Sequence, residues 1–384
     1  MTINPNLHRG LFAIVSEKDC TGCCSCYNTC KSSAINLKTN EIGHLFPYID
    51  GEKCIGCGAC QKNCPAFTNN FHQKPINKVH AAWAKDIIEH STSTSGGLAS
   101  VLARSIINAG GVAYGCASLP KCEFKHIRIT KEEDVNLLKG SKYVQSYIGL
   151  IYRQVKKDLQ NDIKVLFIGT PCQISGLLSF LQKDYDNLYT IDLVCHGVPS
   201  QQLLLDHINS IGINKEDITK VSFRDPNGYY LTIWNEGQVL YQKDYLRDLY
   251  YSGFNDALFS RESCVNCKYA KSDRTGDITL GDFHGLGKDI PFAINSNGNI
   301  SLLTVNSHKG NQMLEDISSK IEYYKRSLDE ALKYNPQLRE SSHRKANYSS
   351  FVKKYKEEGY VKAAKSTLLS LIHISEPTRH LRIS

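Results

Sequence analysis

The chain has 384 residues, 41% hydrophobic and 22% charged, which suits a globular protein with a small module and one larger domain or two medium ones. Its net charge of +8 is moderate, and no apolar run reaches the length of a membrane span. Fifteen cysteines with no secretion signal at the N-terminus point to a reducing, cytoplasmic setting and to metal chemistry, and they argue against a secreted disulfide scaffold.

The first informative stretch runs from Cys20 to Cys64. Cys20, Cys23, Cys26 and Cys30 are repeated 34 residues later as Cys54, Cys57, Cys60 and Cys64, with Pro65 closing the second set. Each set reads C-x₂-C-x₂-C-x₃-C, the spacing of a bacterial ferredoxin with two 4Fe-4S clusters. Three thiolates on a tight loop reach three irons of one cubane, and the fourth, on the following helix, points to the other cluster. The expected ligand sets are therefore Cys20, Cys23, Cys26 and Cys64 for one cluster, and Cys54, Cys57, Cys60 and Cys30 for the other. Disulfides fit poorly at this spacing, and zinc would take two or four ligands per loop instead of three plus one. Gly22 and Gly56 let the backbone bend close to sulfur. Cys24 falls outside the register and reads as a packing residue, and Lys31 stands where the second set has Pro65.

Between the two halves, Ala34–Leu37 and Phe46–Ile49 read as short strands around a turn at Asn40–Gly43. The module is expected to fill residues 1–70, ending in a polar, Pro-containing linker at Asn69–Lys78. A second region, 71–160, opens with an apolar strand at Val79–Ala84. The run Ser91–Gly97 then precedes a helical apolar period at Leu98, Val101, Leu102 and Ile106. Hydroxyls, glycines and a helix N-terminus together suit a phosphate group, although a plain N-cap reads the same way. Gly110 and Gly111 stop that helix, and Val112–Cys116 follows as a strand. The polar run Gly140–Ser146 offers Lys142 to an anion or an electron-rich ring, and a helix follows through Leu159.

The third region, 161–335, begins with a buried strand at Val165–Gly169, a turn at Thr170–Cys172 and a helix at Ile174–Gln182. It continues with a strand at Leu188–Val194 and a helix from Ser200 to Ser210. Strand–helix–strand with buried strands is a parallel βαβ unit. Cys172 and Cys195 lie just past the C-terminal ends of their strands, the edge where open α/β sheets bind ligands. Val221–Arg224 and Tyr229–Trp234 suggest a hairpin around Asp225–Gly228, and Asp277–Gly285 a strand entering a Gly-rich turn. Cys264 and Cys267 add another C-x₂-C pair. With Cys172 and Cys195 they form four soft ligands for a third 4Fe-4S cluster or a zinc ion, isolated buried thiols being the other reading. Cys116 and Cys122 read as structural. The fold class is thus a small two-cluster ferredoxin-like domain followed by a mixed α/β domain containing a parallel βαβ unit.

From Leu328 onward, and especially in the 336–384 tail, the chain is polar, basic and helical in pattern. Between Arg339 and Lys365 eight Lys and Arg face three Glu, which reads as a solvated helix face. Without aromatic platforms on strands the excess does not indicate nucleic acid. The final stretch Ser370–Arg379 resembles a translated sequencing adaptor and is expected to be foreign to the protein.

Read in order, Thr92–Gly97 (T-S-T-S-G-G), Gly140–Ser146 (G-S-K-Y-V-Q-S), Gly169–Gln173 (G-T-P-C-Q), Asp192–Ser200 (D-L-V-C-H-G-V-P-S), Ser222–Asp225 (S-F-R-D), Ser263–Tyr269 (S-C-V-N-C-K-Y) and Asp277–Gly285 resemble the successive motifs of one family. It is the coenzyme F(420) hydrogenase/dehydrogenase beta-subunit family, whose members are iron–sulfur flavoproteins. The resemblance implies FAD, a third 4Fe-4S cluster near the flavin on Cys172, Cys195, Cys264 and Cys267, and an oxidoreductase acting on a deazaflavin or another conjugated acceptor. It further implies flavin contacts from Ser93, Thr94, Ser95, Gly96 and Gly97, and from Lys142, Gln145 and Ser146. Lys142 is the candidate to stabilise negative charge on a reduced ring or acceptor, and His196 and His284 are the candidate proton donors. Partners implied are a ferredoxin or a redox partner subunit and a small-molecule acceptor. A non-catalytic electron-transfer subunit of a larger hydrogenase or dehydrogenase complex is the alternative. Two departures stand out: His90 precedes the hydroxyl run where Arg is common, and His284 stands where members often have Trp.

Overall fold

An eight-stranded mixed sheet carries the body of the protein, as seen in a computed structural model that describes residues 11–375 except 226–227, 297 and 345–346. In chain order its strands, with those of two smaller sheets, are β1 (Leu11–Ala13), β2 (Ile35–Thr39), β3 (Leu45–Asp50), β4 (Lys78–Ala84), β5 (Val112–Leu119), β6 (Glu123–Ile129) and β7 (Val165–Gly169). They continue with β8 (Leu188–Leu193), β9 (Lys220–Ser222), β10 (Tyr230–Asn235), β11 (Gln238–Asp244), β12 (Ile278–Asp282), β13 (Ser301–Val305) and β14 (Ile321–Arg326). The large sheet has the order β14-β4-β13-β12-β8-β7-β5-β6.

At its centre β5, β7, β8 and β12 run parallel, with Gly169 opposite Asp192 and Leu193 opposite Leu280. The expected βαβ unit is β7, the helix Pro171–Leu181 and β8. Strand alternation sorts side chains between the two faces. Leu166 joins Val101, Leu102 and Ile106 of the helix Leu98–Asn108 on one side. Val165 and Phe167 pack on the other against Tyr152 and Val155 of the helix Ile151–Gln160 and against Ile174 and Leu177. A parallel sheet covered on both faces is held by burial on both, which explains the nearly continuous apolar reading of Val165–Gly169.

Thr170–Cys172, expected as a turn, instead opens the helix Pro171–Leu181. Thr170 and Gln173 form a capping box, with Thr170 N donating to Gln173 Oε1 at 2.9 Å, and Pro171 takes the first helical position, where no N–H is needed. The expected hairpin partners are paired antiparallel as β9 and β10, and a further strand, β11, extends that sheet. Pro226 and Asn227 of its turn lie outside the described residues. The basic tail packs through one face: Phe351, Tyr360, Ala363 and Ala364 join the core formed under β9 and β10 by Leu203, Phe223, Leu231 and Tyr250. Its last described helix spans Tyr360–Ser375, so 376–384 of the adaptor-like end lie outside the described residues. Among the described residues no helix is long and apolar enough to cross a membrane.

The N-terminal module has a three-stranded sheet of order β1-β3-β2 and short helices at Ser25–Thr29, Ala59–Lys62 and Pro65–Thr68. The two halves share one backbone device. Cys24, at φ 61°, and Gly58, at φ 68°, stand at the same repeat position and turn the chain through the left-handed region into the helices Ser25–Thr29 and Ala59–Lys62. Gly58 meets nothing within 4 Å, whereas the Cys24 side chain is buried in the core that holds Tyr114, Tyr152 and Phe167. Cys24 is the packing residue its position suggested.

Candidate iron–sulfur and flavin site

Twelve cysteines can be sorted into three groups of four, because Cys23, Cys26, Cys60, Cys64, Cys172, Cys195 and Cys264 each respond electrically to thiols of their own group. Burial, followed by the neighbouring thiol of Cys64, pushes Cys23 up to about 12. Burial, then Cys23, Cys20, Cys24 and Cys64, lifts Cys26 well above its ordinary value. Cys60 is raised by burial and then by Cys54, Cys30 and Cys57. Cys172 is pushed well up by burial, with Cys195, Cys267 and Cys264 adding to it, and Cys264 goes up to about 12 for the same reasons. The groups are thus Cys20, Cys23, Cys26 and Cys64; Cys30, Cys54, Cys57 and Cys60; and Cys172, Cys195, Cys264 and Cys267. The helices Ser25–Thr29 and Ala59–Lys62 carry the crossing, each taking its half's last thiol to the other half's loop.

Four buried thiols cannot ionise together without a cation among them, because each thiolate raises the cost of the next. Hydrogen-bond donors already face the sulfurs. Backbone amides reach Cys23 from Ser25, Cys195 from Gly197, Cys264 from Val198, and Cys267 from Tyr269 and Ala270. Ala34 N donates to Cys30 Sγ at 3.3 Å, and Thr170 Oγ1 lies 3.2 Å from Cys172 Sγ. Cys30 alone among the shifted ligand candidates is lowered: burial would raise it, but bonds from Ser32 and Ala34 prevail. Soft sulfur in fours, ringed by N–H donors, is the donor set of a 4Fe-4S cluster. Among the described residues no three His, Cys, Asp or Glu side chains gather closely enough for a single metal ion.

Close backbone approach docks the module on the body. A Cβ on Gly176 would lie 2.7 Å from Cys23 Cβ and 2.9 Å from its Sγ. Gly176→Ala is therefore expected to overpack this contact, costing about 1–3 kcal/mol, and to push Cys23 out of line with its group. Denaturant unfolding and iron analysis of the variant check this. Polar bonds complete the seam: Arg153 Nη2 donates to Cys30 O at 2.7 Å, Asn28 Nδ2 to Gly149 O at 2.8 Å, and Gln145 Nε2 to Thr21 O at 3.2 Å.

The third group sits at the carboxyl edge of the parallel strands, in the wall of a cleft of about 330 Å³. Asp192, at the end of β8, accepts from Arg274 Nη2 at 3.0 Å and from Thr275 N and Gly276 N at 2.9 Å. Arg274 also donates to Leu193 O at 3.1 Å, so one buried ion pair fixes the segment after Cys267 to the strand that ends before Cys195.

The same cleft is lined by Ser93, Thr94, Ser95 and Gly97, by Lys142, Gln145 and Ser146, and by His196 and His284. Gly96 stands behind this lining: its N–H donates to Ser301 Oγ at 2.8 Å, and a Cβ there would lie 2.4 Å from Ala82 O. Leu98, Ala99 and Ser100, the first turn of the helix Leu98–Asn108, also face the cleft. The hydroxyl run is braced from below by Glu89, whose carboxylate pairs with Lys139 at 2.7 Å and Arg104 at 3.1 Å. Burial would raise Glu89, yet these partners and Ser100 hold it below the usual carboxylate range. Lys142 Nζ donates to Leu138 O at 2.7 Å and Lys139 O at 2.8 Å, and burial brings its ammonium down to about 8. His196 is pushed down to about 4 by burial and then by His284, so it is neutral near pH 7.

Several cleft residues carry no such signal in the sequence. Cys116, which reads as structural, lines the cleft beside Lys142, because Gly115 and Cys116 in the middle of β5 border the cleft while Tyr114 and Ala117 on either side are buried. His126 belongs to β6, a strand that the sequence pattern does not announce. Its Nδ1 lies 2.8 Å from Ser146 Oγ and its Nε2 3.0 Å from Ile168 O, and burial takes it down to about 4. Arg224 of the S-F-R-D run faces the cleft paired with Asp282 at 2.6 Å. Arg261 lies three residues before Cys264, wholly buried between the module and the third group. His90, in place of the common Arg, turns away to bond Asn299 O at 2.7 Å.

Comparison with known proteins agrees with the motif resemblance. Residues 162–331 match the family model that describes the C terminus of the coenzyme F(420) hydrogenase/dehydrogenase beta subunit. Residues 45–66 match a 4Fe-4S binding domain. No curated protein matches the chain. Among solved structures, one similar chain comes from the xenon-derivatized F(420)-reducing NiFe hydrogenase complex of Methanosarcina barkeri. It has 15% identity and a TM-score of 0.44 over 69% of this chain and 91% of that one. Residues 162–331 of this chain are thus similar to the C-terminal region of the coenzyme F(420) hydrogenase/dehydrogenase beta subunit, and a 4Fe-4S binding domain stands ahead of that region.

Proposed function

We propose that the chain is an iron–sulfur flavoprotein oxidoreductase. It takes electrons from a ferredoxin-like donor or a redox partner subunit and delivers them to a deazaflavin or another conjugated organic acceptor. The observation that carries this reading is the succession of three four-thiol groups from surface to cleft. The outer one includes exposed Cys57, the middle one includes buried Cys20 and Cys26, and the last lines the cleft beside the hydroxyl run and Lys142. Tyr152 and Tyr269 each feel both Cys23 and Cys172, so the middle and inner groups are neighbours.

The cysteines would hold three clusters in the groups named above, and FAD would lie against Ser93–Gly97 and Lys142–Ser146. When bound, clusters of this kind supply one-electron transfer, and a flavin joins it to two-electron chemistry on an organic acceptor. The chain's own residues then have defined tasks. The first turn of the helix Leu98–Asn108 presents N–H groups and a positive dipole end to a phosphate. Lys142 places a positive charge in the cleft wall. Neutral His196 serves as a hydrogen-bond partner or proton acceptor, with His284 beside it.

Anaerobically purified protein is expected to carry about twelve irons per chain, four per cluster, and a yellow cofactor bleached by dithionite. Eight irons and no flavin would defeat the reading. The charge on Lys142 also gives flavin binding a pH dependence. Its ammonium is present below about pH 8 and lost as pH rises through that value, so flavin affinity should fall above pH 8. Fluorescence titration checks this, and Lys142→Met should remove the dependence.

A second reading, a subunit that relays electrons without turnover of its own, is favoured by one feature. Ile55, 73% exposed, sits between Cys54 and Cys57 and offers an apolar contact to a partner beside the outer group. Turnover of an acceptor by the isolated chain separates the two readings.

A further inference from the structure

Arg261 is 0% exposed, a costly position for a guanidinium unless an anion compensates it. Other buried or nearly buried arginines have such an anion: Arg274 pairs with Asp192, Arg224 with Asp282, and Arg326 with Glu330. Among the described residues no carboxylate pairs with Arg261. Its Nε donates to Cys20 O at 2.7 Å, and its Nη2 to Leu45 O at 2.8 Å and to Cys20 Sγ at 3.5 Å. Its Nη1 donates to Gln145 Oε1 at 3.2 Å, and its plane lies 4.0 Å from the centre of the Phe46 ring. Among the described residues, the anionic chemistry in reach is therefore sulfur: Cys20 in direct contact, and Cys264, one helical turn further along the chain, which also feels the guanidinium charge.

We infer that Arg261 is the counter-charge of the cluster held by Cys20, Cys23, Cys26 and Cys64, and that it raises the reduction potential of that cluster relative to the outer one. The inference rests on the three-cluster reading. A cluster on four thiolates is an anion, and one added electron makes it more negative by one charge. A fixed cation and an N–H···S bond therefore stabilise the reduced form more than the oxidised form. The outer group of Cys30, Cys54, Cys57 and Cys60 has exposed Cys57 and, among the described residues, no arginine on its sulfurs. Electrons arriving there are drawn inward. Arg261 is thus a positioning and tuning residue, and no substrate touches it.

The test is an anaerobic redox titration of the full chain followed by electron paramagnetic resonance, comparing wild type with Arg261→Gln and Arg261→Lys. In Arg261→Gln the reduction equilibrium of one cluster should fall at least tenfold, a shift of about 59 mV for one electron, with the outer cluster unmoved. Arg261→Lys keeps the charge and should recover most of the shift. Unchanged midpoints in an iron-replete Arg261→Gln protein would overturn the inference alone, whereas wild type without iron would overturn the three-cluster reading with it. Should Arg261→Gln fail to assemble, wild type labelled with ¹⁵N in its arginine guanidinium groups decides. A nitrogen hyperfine coupling on a reduced cluster is expected, and its absence overturns the assignment.

Discussion

Cys64→Ser should cost the protein the cluster of Cys20, Cys23 and Cys26, while the cluster of Cys54, Cys57 and Cys60 survives. Cys64 is 38 residues from Cys26 in sequence and only four from Cys60, so a purely local scheme would assign it to the second loop. The structure brings it to the first instead: its thiol acts on Cys23 and Cys26, and Cys20 acts on it in turn. Cys30→Ser should do the converse, since Cys30 acts on Cys60. Each variant is expected to lose about four of about twelve irons, and the two should lose different resonance signals. Loss of the same signal from both would overturn the crossed pairing. Among single substitutions these should have the largest effect on cofactor content, because the other three thiolates would be left without the cation that offsets their mutual repulsion.

Arg274→Leu is expected to have the largest effect on stability. Arg274 and Asp192 are both fully buried, and Asp192 also accepts two backbone N–H bonds from Thr275 and Gly276. Removing the guanidinium leaves a buried carboxylate with no opposite charge, a change that typically costs about 3–5 kcal/mol. Denaturant unfolding of the full chain measures it. The variant should also lose inner-cluster iron, because the pair ties the segment behind Cys267 to the strand ahead of Cys195. Paired replacement of Arg274 and Asp192 by apolar residues should restore much of the stability while leaving the loop poorly placed. A single replacement that unfolds like wild type would show that the pair does not fix this edge.

What is legible in the sequence follows from local chemistry. Thiol spacing needs only a few residues to encode a loop, and Val165–Gly169 needs only a short apolar run to declare a buried strand. The cleft-lining runs at Ser93–Gly97 and Lys142–Ser146 are legible for the same reason: polar and glycine clusters interrupt apolar periods. Strands completed by distant partners are harder. Ile321–Arg326 reads I-E-Y-Y-K-R, too polar to announce a strand, and takes its conformation by pairing with Lys78–Ala84. Ser301–Val305 is a short apolar run that periodicity alone cannot assign, and it becomes a strand between Ile278–Asp282 and Lys78–Ala84. Thr170–Cys172 misleads because Pro also forms turns, whereas Thr170, Pro171 and Gln173 together spell a helix start. Arg261 carries no local signal at all. Its burial and its bond to Cys20, 241 residues away, exist only in the folded chain.

The left-handed residues Cys24 and Gly58 mean that the two halves of the small module, alike in spacing, are no longer interchangeable. Glycine would relax the backbone at position 24 but leave a void under Tyr152, and a thiol at position 58 would strain the backbone with nothing to pack against. One repeat has become masonry for the body behind it. Its twin keeps an exposed face at Ile55 and Cys57, open to whatever approaches from outside.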